Sequence, residues 1–106
     1  MYARIVNMKL KNDGAKQFGH TFETDIIPIL RKQNGFRDEI SLLAAERSEV
    51  TGISLWNKKD DADEYNRNTY PGILKSLSKV IEGTPEVRSF EVSSSTFHKI
   101  AEGIQA

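Results

Sequence analysis

Hydrophobic and polar residues alternate at the start of the chain. Arg4, Val6, Met8 and Leu10 fall on one side, and Ala3, Ile5, Asn7 and Lys9 on the other. Over Tyr2 to Lys11 that period of two predicts a β-strand, and apolar residues on both sides mean that neither face is fully solvated. Asn12-Asp13-Gly14 then marks a turn, with Asn12 or Asp13 placed to cap a helix. From Ala15 to Gln33 the period changes. Phe18, Phe22, Ile26 and Ile29/Leu30 recur every three or four residues and form one apolar stripe. Pro28 falls inside that helix, removes a backbone donor and predicts a kink. Arg31-Lys32 suits the negative end of the helix, and Gly35 stops it.

Phe36 to Arg47 reads as a second strand, Ser48-Glu49 as a polar turn, and Thr51 to Asn57 as a returning third strand. The third strand ends on Trp56, the chain's single tryptophan, and feeds directly into an acidic helix that begins Lys58-Lys59-Asp60-Asp61. Ala62, Tyr65, Thr69, Ile73, Leu74, Leu77 and Ile81 form the inner face of this helix, which Tyr70-Pro71-Gly72 interrupts and Gly83-Thr84-Pro85 ends. Val87 to Ser93 is a fourth strand with Phe90 and Val92 inward, leading into a polar tail where Phe97 and Ile100 offer docking points.

The order strand, helix, strand, strand, helix, strand predicts an α+β, ferredoxin-like βαββαβ domain: a four-stranded antiparallel sheet with two helices on one face. It spans residues 1–96, with 97–106 as a tail. The helices cover one face and no element is left for the other, which this reading assigns to Val6, Met8 and their neighbours. A second copy is the simplest cover, so a homodimer joined sheet to sheet is expected.

Composition narrows the function classes. The 106 residues carry 15 basic and 15 acidic side chains and no lysine or arginine cluster, which argues against nucleic acid as a partner. The absence of cysteine excludes disulfides and thiolate metal sites. No signal peptide and no apolar run of membrane length is visible, so no membrane partner is expected and the predicted location is the cytoplasm.

Three features make the chain resemble the antibiotic biosynthesis monooxygenase-like proteins of the dimeric α/β barrel superfamily. They are the proline-containing helix ending in Asn34-Gly35-Phe36, the segment Ser54-Leu55-Trp56-Asn57-Lys58-Lys59-Asp60-Asp61-Ala62, and the element order over roughly residues 2 to 96. The resemblance implies a dimeric α/β barrel and several possible activities: cofactor-free oxidation of aromatic polyketides, haem degradation, or metabolism of quorum-sensing signals and quinones. In haem-degrading relatives a strand-1 asparagine, a helix-2 tryptophan and a following histidine act together. Here Asn7 and Tyr65 fall at the first two positions and no histidine lies between Lys75 and Val80, which argues against haem. In quinone-forming relatives an asparagine, a tryptophan and an arginine polarise a phenolic substrate. Asn7 and Trp56 match the first two, with Arg4, Arg47 and Arg67 as candidates for the third.

The candidate catalytic residues are therefore Asn7, Trp56 and Tyr65, expected around one cavity between sheet and helices. Each has a plainer role. Asn7 could bond backbone or water, Trp56 could simply pack, and Tyr65 could be a core tyrosine whose hydroxyl reaches solvent. His20 and His98 are far apart and carry no metal-ligand spacing, and no phosphate-binding glycine loop or nucleophile elbow is present, so no cofactor and no metal is expected. Two readings follow: a cofactor-independent oxygenase acting on a small aromatic or quinol, or a non-catalytic, ligand-binding or stress-related homodimer. The missing elements of the first are a base and an assigned arginine.

Overall fold

Strand β1 (Tyr2–Leu10) lies inside the sheet, hydrogen-bonded on both sides, and the rest of the chain is arranged about it. The computed structural model describes residues 1–98. Its elements follow as helix α1 (Gly14–Thr21), a π-helical turn (Phe22–Ile26), helix α2 (Ile27–Arg31), strand β2 (Phe36–Ala44), a 3₁₀ turn (Ala45–Arg47) and strand β3 (Glu49–Trp56). Helices α3 (Lys59–Asn68) and α4 (Tyr70–Leu77) and strand β4 (Ile81–Glu91) complete the fold. The sheet order is β2-β3-β1-β4 with every pairing antiparallel, and the helices pack on one face, giving the ferredoxin-like α+β architecture.

The first helical stretch departs from the simple kink expected at Pro28. Ile27 donates its N–H to Phe22 O, five residues back, so one wide turn precedes the proline. Pro28 then sits in the first turn of α2, where its missing donor costs little. Asp13 does not cap α1 with its side chain; it adopts a left-handed conformation at φ 58°. Gly35 does end the stretch, at φ 74°, and its carbonyl accepts from Asn57 N–H at 2.8 Å. The second helical stretch breaks at Thr69 and ends at Leu77, short of the expected Ile81. Ile81 instead opens β4 opposite Leu10, and Gly83 and Pro85 fall where the register shifts between Asn7 and Lys9. An edge strand tolerates that proline.

The register settles which face is which. Trp56, Ser54, Gly52 and Val50 of β3 stand beside Tyr2, Arg4, Val6 and Met8 of β1, under the helices. Val6, Met8, Leu10, Phe18, Ile26, Leu30, Val50, Trp56, Ile73 and Leu77 close the core there. Val6 and Met8 therefore lie beneath the helices and not on the open face, a correction of the predicted phase. The open face carries Ile40 and Leu42 of β2, 54% and 49% exposed, with Ile5, Ile53 and Leu55 beside them. Phe90 is not inward; it pairs with Ala3 on this open face.

Past β4, Val92 N–H donates to Met1 O, and Ser95 Oγ accepts from the N–H groups of Phe97 and His98 in a small turn. His98 meets the Asp38 carboxylate on β2. The expected docking of Ile100 lies outside the described residues, as does most of the predicted tail. No helix among the described residues is long and apolar enough to cross a membrane.

Candidate functional site

Three neighbouring strands place Glu39, Ser54 and Arg4 in one row on the helix-facing side of the sheet, through the pairs Glu39↔Ser54 and Arg4↔Ser54. Two strand spacings separate the backbones of the outer pair, roughly 10 Å. Both outer side chains, with Tyr65, Tyr70 and the aliphatic Ile73 and Leu77, line an inner cavity of about 40 Å³, room for one or two waters. A second cavity of about 270 Å³ opens between α1, the π-helical turn and β2, walled by Phe18, Ile27, Leu43 and Val50. Phe22 and Glu39 line both.

Arg4 is the dominant charge. It is only 3% exposed, its Nη2 donates to Asn66 Oδ1 at 2.7 Å, and its guanidinium carbon lies 3.9 Å from the Tyr70 ring centroid and 5.2 Å from that of Tyr65. No carboxylate forms an ion pair with it among the described residues. Of the three arginines considered from sequence, Arg4 alone lines this cavity. Arg47 pairs with Glu46 and Glu49 at the surface, and Arg67 is exposed on α3.

Burial pushes the Glu39 carboxyl up to about 7, against a downward pull from the Ser41 hydroxyl, which donates to its oxygens at 3.3 Å. Gly52 leaves the space the carboxylate uses: a Cβ there would come within 3.3 Å of Glu39 Oε2. Burial also pushes the Tyr65 hydroxyl up to about 12, opposed by the Arg4 charge, and raises Tyr70 in the same way. Both phenols are therefore donors near neutrality. The Tyr70 hydroxyl is the one buried side-chain polar atom without a hydrogen-bond partner among the described residues.

The three residues singled out from sequence do not share one cavity. Tyr65 lines the inner one. Trp56 has no exposed surface; it donates Nε1–H to Ser54 Oγ at 2.9 Å and packs between Phe36 and Tyr65, with centroids 5.5 and 4.9 Å away. Its ring lines neither cavity and instead supports the Ser54–Tyr65 wall. Asn7 is one residue out of phase with Arg4 and Val6, exposed on the opposite side of the sheet, where its Oδ1 accepts from the Thr51 hydroxyl at 2.6 Å. Glu39, Tyr70 and the choice of Arg4 were missed. Glu39 sits in a strand among polar residues, and only the fold brings it over Gly52. Among the described residues no group of three His, Asp or Glu is placed to hold a metal.

Solved structures share this arrangement of elements. A Streptomyces coelicolor monooxygenase in complex with nanaomycin D superposes with a TM-score of 0.74, covering 92% of each chain at 11% identity. The fold is that of the antibiotic biosynthesis monooxygenases. A cofactor-independent oxygenase from Streptomyces nogalater shares it at TM-score 0.67 and 13% identity, covering 92% of this chain and 97% of that one. So does a Nitrosomonas europaea protein of unknown function, at TM-score 0.74 and 11% identity over 92% and 94%. No family model matches the sequence, and no curated protein does. The antibiotic biosynthesis monooxygenase fold thus comes with both oxygenases and proteins without an assigned role.

Proposed function

We propose that the protein is a cofactor-independent oxygenase for a small aromatic or quinol substrate. The observation that carries this reading is Arg4: a buried, uncompensated guanidinium between two tyrosines, in a fold that oxygenases share. Such chemistry asks the protein to hold a substrate anion and keep water away, since the electrons come from the substrate itself. A quinol passes two electrons and two protons to dioxygen, giving quinone and hydrogen peroxide. An anthrone methylene gives four electrons, one oxygen atom becoming the new carbonyl and the other leaving as water.

The test is oxygen uptake by the purified protein against anthrones, hydroquinones and catechols. Arg4→Met should lower the rate about 100-fold or more, the loss typical of removing a donor to a developing oxyanion. Wild-type uptake no faster than buffer alone would leave the second reading, a binder without turnover. The inner cavity, about 40 Å³, is too small for an aromatic ring, so in either reading the ring lies outside it. In either case we infer a homodimer through the open face, supported by the exposed Ile40 and Leu42, on a face that no helix or strand among the described residues covers.

A further inference from the structure

The geometry points to Glu39 as the proton acceptor of this site, serving a phenol whose ring lies in the outer groove and whose oxygen reaches between Glu39 and Arg4. This assignment rests on the oxygenase reading and deepens it. The outer groove of about 270 Å³ is apolar along Phe18, Phe22, Ile27, Leu43 and Val50. That is a little under the roughly 300–1,000 Å³ of drug-sized sites, a fit for one or two rings. Glu39 and Phe22 border both the groove and the inner cavity, and Arg4 lines the inner one alone, so a hydroxyl directed inward from a ring in the groove comes first to the carboxylate and then to the guanidinium. The π-helical turn begins at Phe22, and such turns occur disproportionately at functional sites.

The step balances as a proton transfer. The phenol O–H bond breaks, its electron pair stays on the phenolic oxygen, and the proton moves to a Glu39 oxygen. Phenol plus carboxylate becomes phenolate plus carboxylic acid, with the phenolate facing Arg4 and the new acid able to donate to it. An acceptor titrating near neutrality is the most effective kind at neutral pH. The groups facing Glu39 are Ser41 beside it on β2, Arg4 from β1, Tyr65 from α3, Tyr70 from α4, and Glu23 of the π-helical turn, which shares the outer groove. None of the other four titratable side chains can take the role. Arg4 holds no exchangeable lone pair, both tyrosines are raised by burial, and Glu23 is exposed at the outer wall and lines only the groove.

The experiment uses 2-naphthol, a two-ring phenol almost wholly un-ionised in neutral buffer, whose naphtholate has a separate near-ultraviolet band. Bound naphtholate is followed against pH in wild type, Glu39→Gln and Ser41→Ala, with circular dichroism confirming the fold of each. In wild type the band is expected to rise through neutrality. In Glu39→Gln the naphthol proton must go to buffer, so binding at pH 8 should release about one proton per naphtholate formed, read from the buffer dependence of the binding enthalpy, where wild type, with the carboxylate as acceptor, should release almost none. In Ser41→Ala, which removes the bond that holds Glu39 down, the onset should move to higher pH. Equal proton release by wild type and Glu39→Gln, or no naphtholate on wild type, would overturn the assignment. Naphtholate formation without oxygen uptake on any substrate would retain Glu39 as proton acceptor and remove the oxygenase; uptake that survives Glu39→Gln unchanged would do the reverse.

Discussion

The guanidinium of Arg4 lies over the face of Tyr70, 3.9 Å from the ring centroid, while the Tyr70 hydroxyl is buried without a partner. The ring and the hydroxyl therefore do separable things. Tyr70→Phe keeps the cation–π contact and deletes a desolvated polar atom, so stability should stay level or rise by about 1 kcal/mol. Tyr70→Leu loses the ring and should cost about 1–2 kcal/mol. Thermal denaturation of the two variants checks both signs, and a fall in activity already complete in Tyr70→Phe would assign the hydroxyl to the substrate.

Glu39 makes stability depend on pH in an unusual direction. Its folded-state value is raised from 4.5 to about 7, so between these values the folded chain binds more protons than the unfolded one. Stability from this group is complete below the unfolded value and is lost as pH rises toward 7 and just beyond. Glu39→Gln mimics the neutral form. It should match wild type at pH 4 and exceed it at pH 8, by about 1 kcal/mol once solvent screening of the half-buried carboxylate is allowed for. Melting temperatures across that range should diverge with increasing pH; parallel curves would show that the carboxylate is not desolvated.

Gly35 cannot be replaced without cost. Its φ of 74° disfavours any side chain, and a Cβ would come within 2.7 Å of Asp61 Cβ, too close to be relieved by the carboxylate alone. Gly35→Ala should lower stability by about 2–3 kcal/mol, read from the urea midpoint with its slope unchanged. The double variant with Asp61→Ala should recover only part of this, because the backbone strain remains.

The open face predicts the state of association. Leu42→Glu puts a charge among exposed apolar residues of the open face, so a sheet-to-sheet dimer should dissociate while the monomer fold survives. Sedimentation at micromolar concentration should show a dimer for wild type and a monomer for the variant. A monomeric wild type would remove the basis of the dimer.

The element order was legible because the changes of period from two to about 3.6 and back are strong, and Gly35 ends the first helical stretch where expected. The phase of the sheet was not. β1 carries apolar residues on both sides, so alternation alone could not say that Val6 and Met8 face the helices while Ile5 faces away. The same ambiguity put Asn7 beside Trp56. Ile81 continued a helical stripe by spacing, but pairing with Leu10 won it for β4. The site was hidden for a related reason. Arg4 and Asn66 are 62 positions apart, and what desolvates Glu39 is a helix layer and a missing side chain at Gly52, neither of which marks the sequence near it.

Trp56 gives the molecule a built-in optical probe. It is the chain's one indole and sits wholly out of water, so native emission should lie toward the blue and shift red on unfolding. Tyr65, 4.9 Å away, is the wall between that indole and the cavity. An aromatic guest in the outer groove, with its hydroxyl directed toward that cavity and an absorption that overlaps indole emission, would come within energy-transfer range of the indole and quench it. Occupancy of the groove can then be followed in unlabelled protein, whether or not the guest reacts.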